Sequence, residues 1–189
     1  MITAYIDFKS LDCYLAIAPV VELAKAFGVE IDWQPFQTRE RPLPTQVANE
    51  NITQGHHRVR AACELRLNLQ YAKRRGLDIN SERAQIDTGE ALAWLNKIEG
   101  DKTEFVLRAF DAHWRQEQDL NDPELLNKMI TACNLSLSLN DSVVDLDRSH
   151  SDAEKAGLFD APTFVIEGQL FVGRAHIPWM RQQLMALQD

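Results

Sequence analysis

"DFKSLDCYLA", residues 7–16, closes one apolar run and opens another with a different period. Before it, "ITAYIDF" is short and apolar and stops at a turn on Lys9 and Ser10, which reads as a buried first strand. After it, Leu15, Ala18 and Leu23 share one side of a helix expected from about Leu11 to Phe27, with Gly28 as its stop. Pro19 falls inside that helix and predicts a kink. "VEIDWQPF" then alternates, with Val29, Ile31 and Trp33 on one side and Glu30, Asp32 and Gln34 on the other, as a half-buried strand does. Strand, helix and strand with so long a crossover imply a parallel, right-handed unit.

The stretch therefore places an S-x-x-C pattern, Ser10 and Cys13, at a strand-to-helix turn. Backbone N–H groups and the positive end of the helix dipole meet at such a turn and stabilise a thiolate. A serine hydroxyl stays protonated near neutral pH and is a poor nucleophile toward a disulfide. It can donate a hydrogen bond to a thiolate carried by a ligand, worth about 1.5–3 kcal/mol. The plain alternative is an N-cap worth about 1 kcal/mol. Cys13, one turn further on, is either a small buried hydrophobe or a redox thiol working alone.

The 189 residues suit one domain, or one domain carrying an insertion. Hydrophobic residues make up 45% and charged residues 25%, as in ordinary water-soluble folds. A net charge of −8 argues against a nucleic-acid surface, and the basic run Arg66–Arg75 has the spacing of a solvated helix face. Three cysteines without close spacing are not a disulfide framework. The start of the chain lacks the pattern of a signal peptide, and no apolar run reaches membrane length. These features lead to the expectation of a cytoplasmic protein without nucleic-acid or membrane partners. The adjacent His56 and His57 would point different ways on a helix, so no metal site is expected.

"QTRERPLPTQ", residues 37–46, reads as a loop. The following hundred or so residues hold helical patterns and no convincing strand. One helix ends at Gly76, and another begins at a Thr88 cap and ends at Gly100. Asp101 with Glu104, and Ser151 with Glu154, have capping-box spacing; Asp122 is a cap with Pro123 in the first helical position. Strands return in "GLFDAPTFVIEGQLFVG", residues 157–173, where Glu167-Gly168 is a hairpin signal. A last helix follows, with Pro178 near its start. Pro162 at the head of a strand is either an ordinary trans start or a cis bond from Ala161, which would leave the Ala161 backbone to pair with an extended peptide. The order βαβ, helical insertion, ββ, α gives an α/β, thioredoxin-like fold. Its main domain is expected from 1–45 and 158–189, with an inserted all-helical subdomain at 46–157.

Together the two quoted stretches resemble the DsbA-like thioredoxin superfamily, whose usual active-site form is F-x-C-P-x-C-Y. Serine in place of the first cysteine resembles its 2-hydroxychromene-2-carboxylate isomerase and kappa-class glutathione transferase branches. "GLFDAPTFVIEGQLFVG" looks like their cis-proline segment, and "FVLRAFDAHWRQEQDLNDPELL", residues 105–126, is similar to the isomerases' helical stretch. The resemblance implies glutathione as cofactor, with Ser10 on its sulfur and Ala161, beside Pro162, pairing with its cysteinyl unit. The substrate would be an aromatic-derived or unsaturated carbonyl compound between the thioredoxin-like and helical parts, and a homodimer is compatible. The chain departs from the family in three places. Leu11 stands where proline is usual. Arg174-Ala175-His176 stands where an acidic residue followed by arginine is usual, so Arg174 or His176 would meet a carboxylate instead. Residues 140–157 are shorter than the family's run. Lys9 is either a cation placed to attract a thiolate or an acidic substrate, or an ordinary exposed lysine. The rival readings are a thiol oxidoreductase working through Cys13 and a non-catalytic binding module.

Overall fold

The computed structural model describes residues 1–38, 48–138 and 146–188, with the side chains of 146–149 outside that set. Most of the proline-rich 37–46 loop and the first part of the shortened 140–157 stretch lie outside the described residues. By packing, the chain divides into two compact units, 1–38 with 81–189, and 39–80. The expected insertion at 46–157 thus spans both units.

In the first unit, β1 (Ile2–Ile6), α1 (Leu11–Phe27) and β2 (Ile31–Pro35) form the expected parallel crossover, with Ile2 opposite Ile31 and Ile6 opposite Pro35. The alternation of β1 is explicit: Ile2, Ala4 and Ile6 are buried while Thr3 and Tyr5 are half-buried. Helix α1 runs through Pro19 without interruption and ends where Gly28 adopts φ 61°, ψ 33°. In that left-handed conformation the Gly28 N–H reaches the Ala24 and Lys25 carbonyls.

Strands β5 (Thr163–Ile166) and β6 (Gln169–Val172) form the hairpin read from Glu167-Gly168. Both turn residues have positive φ, 48° and 78°, as a two-residue type I′ turn requires. β5 pairs antiparallel with β1, giving a four-stranded sheet in the order β2-β1-β5-β6 among the described residues. Helix α7 (Ile177–Ala186) buries Met180 and Leu184. This is the thioredoxin-like α/β fold with helices added.

Those helices are α3 (Gly89–Lys97), α4 (Thr103–Trp114), α5 (Pro123–Ala132) and α6 (Leu146–Lys155). Asp122 caps α5 by accepting from the Glu124 N–H at 2.9 Å, as its sequence indicates. Three expectations are corrected. Thr88 precedes α3 but makes no side-chain cap. Lys102 is the N-cap of α4, while Asp101 accepts from the Thr103 N–H and Glu104 pairs instead with Arg108, one turn on. Ser151 and Glu154 lie inside α6, so they do not start a helix. The helical region also carries a two-residue antiparallel pair, β3 (Ile98–Glu99) and β4 (Ser136–Leu137), too short to show a period.

A buried polar knot ties residues 81–85, a single 3₁₀ turn, to α4. Arg83 Nε donates to the His113 carbonyl at 3.0 Å, and its Nη2 lies 3.2 Å from His113 Nδ1. His113 Nε2 lies 3.0 Å from the Arg83 carbonyl. The guanidinium can only donate, so Nδ1 accepts and the ring proton sits on Nε2. Burial and the Arg83 charge hold the His113 pKa down at about 4.

In the second unit, α2 (Ile52–Arg74) starts with a complete capping box. Asn51 accepts from the Gln54 N–H, and Gln54 accepts from the Asn51 N–H. His56 and His57 are exposed on it. No group of His, Cys, Asp and Glu suited to a metal occurs among the described residues, and no described helix is long and apolar enough to cross a membrane.

Candidate functional site

Ser10 is the N-cap of α1. Its backbone is extended (φ −80°, ψ 117°), and its Oγ accepts from the Cys13 N–H at 3.3 Å. The hydroxyl also donates to the Ala161 carbonyl at 3.3 Å, across 151 residues of sequence. The Ala161–Pro162 bond is cis. Cap and peptide edge therefore face each other directly.

Ala161 is internally satisfied on both sides. Its carbonyl takes the Ser10 hydroxyl, and its N–H donates to Asp160 Oδ1 at 2.9 Å. The segment is held from behind by two bonds: Thr163 Oγ1 donates to the Asp160 carbonyl at 2.6 Å, and the Gly173 N–H donates to the Pro162 carbonyl at 2.7 Å.

Arg174 is tied to α1. Its N–H donates to Asp12 Oδ2 at 3.3 Å and its Nε lies 3.6 Å from Asp12 Oδ1. Arg174 therefore already faces an acid, Asp12, in the fold. His176 is used differently: its Nδ1 accepts the Val172 N–H at 2.9 Å and its ring stacks on Trp179, 5.0 Å between centroids. That arrangement finishes β6. Lys9 is half-buried beside Ser10, and its charge acts on Asp7.

The catalytic assignment of Cys13 does not fit this geometry. Its side chain is fully buried, and burial pushes its thiol well above the ordinary cysteine value. Its sulfur takes the Asp7 N–H at 3.5 Å. A thiol so placed is core, since the nucleophile would be the thiolate and the thiolate is the form that burial disfavours.

Asp7 belongs to no motif in the sequence, yet it is central to the turn. This carboxylate is fully buried at the end of the apolar run, and burial raises its pKa. Oδ2 accepts from the Thr38 N–H at 2.8 Å and from its hydroxyl at 2.6 Å; Oδ1 accepts from the Lys9 N–H and the Thr88 hydroxyl, both at 3.2 Å. This explains why Thr88 does not cap α3. The available signal was an acid closing a buried strand, a place that requires several donors.

Aromatic packing fixes the turn from the other side. Trp114 Nε1 donates to the Phe8 carbonyl at 2.9 Å, Tyr14 stacks on Trp114, and the Phe8 ring packs on Phe105 and Phe110. A cavity of about 700 Å³ lies elsewhere, at the far end of α1, lined by residues such as Val21, Ala24, Gly28 and Asp101. None of the residues around Ser10 lines it.

The family model for the DSBA-like thioredoxin domain matches residues 1–185. The chain belongs to that family. Over 187 residues it is 24% identical to the uncharacterized protein YwbO of Bacillus subtilis, covering 92% of this chain and 90% of that one. Its fold resembles a solved 2-hydroxychromene-2-carboxylate isomerase, with TM-score 0.67 and 16% identity over 98% of this chain and 95% of the other. It also resembles the cytosolic disulfide reductase DsbM of Pseudomonas aeruginosa, solved with GSH, with TM-score 0.56 and 15% identity over 99% and 98% of the two chains. These likenesses establish the fold.

Proposed function

We propose that this protein is a glutathione-dependent isomerase or transferase in which Ser10 holds the glutathione thiolate. The observation that carries the reading is the Ser10 hydroxyl at the start of α1, 3.3 Å from the Ala161 carbonyl, with Cys13 sealed in the core. The donor set fits a sulfur-bearing peptide. The hydroxyl can turn from the Ala161 carbonyl to a sulfur, and the first turn of α1 supplies positive potential. A peptide unit would take over the Ala161 N–H and carbonyl from Asp160 and Ser10, an ammonium would share Asp12 with Arg174, and Lys9 adds a cation.

Ser10 and the first turn of α1 would hold the sulfur of glutathione, which would supply a thiolate nucleophile toward an unsaturated or aromatic-derived carbonyl compound. The chain's own residues lower the cost of the thiolate by a hydrogen bond from Ser10 and by the helix field, which raises the ionised fraction near neutral pH. The disulfide reductase solved with GSH, among the proteins of similar fold, supports this class of ligand, and the isomerase supports the class of reaction.

Calorimetric titration with glutathione tests the reading. Ser10→Ala is expected to weaken binding about tenfold or more, the size of a hydrogen bond to a charged group. Binding indifferent to Ser10 would remove the central residue of the proposal. The oxidoreductase reading through Cys13 would need an accessible thiol, and the structure gives Cys13 none.

A further inference from the structure

The Ala161 N–H is the donor that an incoming peptide carbonyl would need, and a carboxylate already holds it. Asp160 Oδ1 accepts from it at 2.9 Å, while Ser10 takes the carbonyl of the same residue at 3.3 Å. We infer that Asp160 is a built-in competitor for the peptide-pairing edge, displaced when a ligand pairs with Ala161, and that it sets the affinity of the site. The inference rests on the glutathione reading above.

The argument is one of exchange. A ligand carbonyl that takes the Ala161 N–H gains a neutral hydrogen bond and breaks a charge-assisted one, which is the stronger kind. Asp160 is half-buried, so its freed carboxylate recovers part of that loss from water. The balance still disfavours a ligand that brings only backbone groups. It favours one that also brings a donor to Asp160, such as an N–H or an ammonium. Asp160 thus filters ligands by what they offer the carboxylate as well as by their sulfur. Its backbone carbonyl, bonded to Thr163, is unaffected by a side-chain change, so variants keep the segment's support.

The test is calorimetric titration of glutathione into the wild type, Asp160→Ala, Asp160→Asn and Ser10→Ala. Amide hydrogen exchange at Ala161 is followed by NMR in the first three. Asp160→Ala is expected to bind about three- to tenfold more tightly. Asp160→Asn keeps an acceptor oxygen but loses the charge assistance, so its affinity is expected to fall between those of the wild type and Asp160→Ala. If Asp160→Asn tightens as much as Asp160→Ala, relief of repulsion from an anionic ligand explains both, and the competitor is refuted. If Asp160→Ala binds no more tightly while Ser10→Ala binds more weakly, the competitor fails and the glutathione reading stands. If no variant binds glutathione, that reading fails, and Ala161 exchange decides the rest. A roughly tenfold faster rate in Asp160→Ala keeps the carboxylate's hold on the N–H, and an unchanged rate overturns it.

Discussion

Acidification should destabilise this protein through a single buried ring. His113 has a folded pKa of about 4 against an ordinary value of 6.5, because it is buried and faces the Arg83 guanidinium. Between those two values the unfolded chain binds a proton that the folded chain refuses, so stability rises with pH across that window. The contribution is intact above about pH 6.5 and is lost as pH falls toward about 4. The gap corresponds to about 3 kcal/mol in total, of which about 2 kcal/mol disappears between about pH 7 and pH 5. Asp7 acts with the opposite sign: its raised pKa favours the folded state on protonation, and that benefit is lost as pH rises through its folded value. Asp7 is common to any pair of proteins differing only at 113, so it cancels in their comparison. His113→Gln keeps one acceptor for Arg83 and one donor for its carbonyl, and it does not titrate. Urea unfolding of both proteins at about pH 7 and pH 5 should show the wild type losing about 2 kcal/mol more than the variant. Equal losses would refute the argument that His113 is held neutral in the fold.

Two further outcomes follow from the same packing. Native-state thiol labelling should modify the partly exposed Cys63 and Cys133, with Cys13 reacting only on unfolding; labelling of all three in the native state would contradict the core assignment. Trp114→Phe removes the donor to the Phe8 carbonyl and leaves it buried without that bond, at a cost of about 2–3 kcal/mol in denaturant unfolding. A change under 0.5 kcal/mol, roughly the effect of a neutral surface substitution, would show that the bond contributes little.

The local rules that were legible in the sequence are the ones with a period or a stop. β1, α1 and the hairpin each carried one: an apolar run, a glycine in the left-handed region, and Glu167-Gly168 between two strands. The cis linkage at Pro162 needed the wider resemblance, because a proline at a strand start has a common trans reading. Two of the failed caps share a cause. Thr88 and Glu104 had side-chain partners closer to hand than the helix ends, in Asp7 and Arg108. Capping patterns report what a residue can do, and its neighbours, along the same helix for Glu104 and across the fold for Thr88, decide what it does. Among the site residues, Ser10 and Ala161 were paired by resemblance and are joined by a hydrogen bond. His176 was assigned to a ligand and serves the sheet. Asp7 and Asp160 were silent, since an acid's role depends on which donors the fold brings to it.

The Asp7 carboxylate gives the fold a lever. It grips Lys9, Thr38 and Thr88, which belong to three separate stretches of chain, with one rigid three-atom group. A shift of either threonine by a few tenths of an ångström must be passed to the residue next to Ser10 or be paid for by stretching a bond in the interior. Substitutions at Thr38 or Thr88 would therefore retune the serine from a distance without touching it.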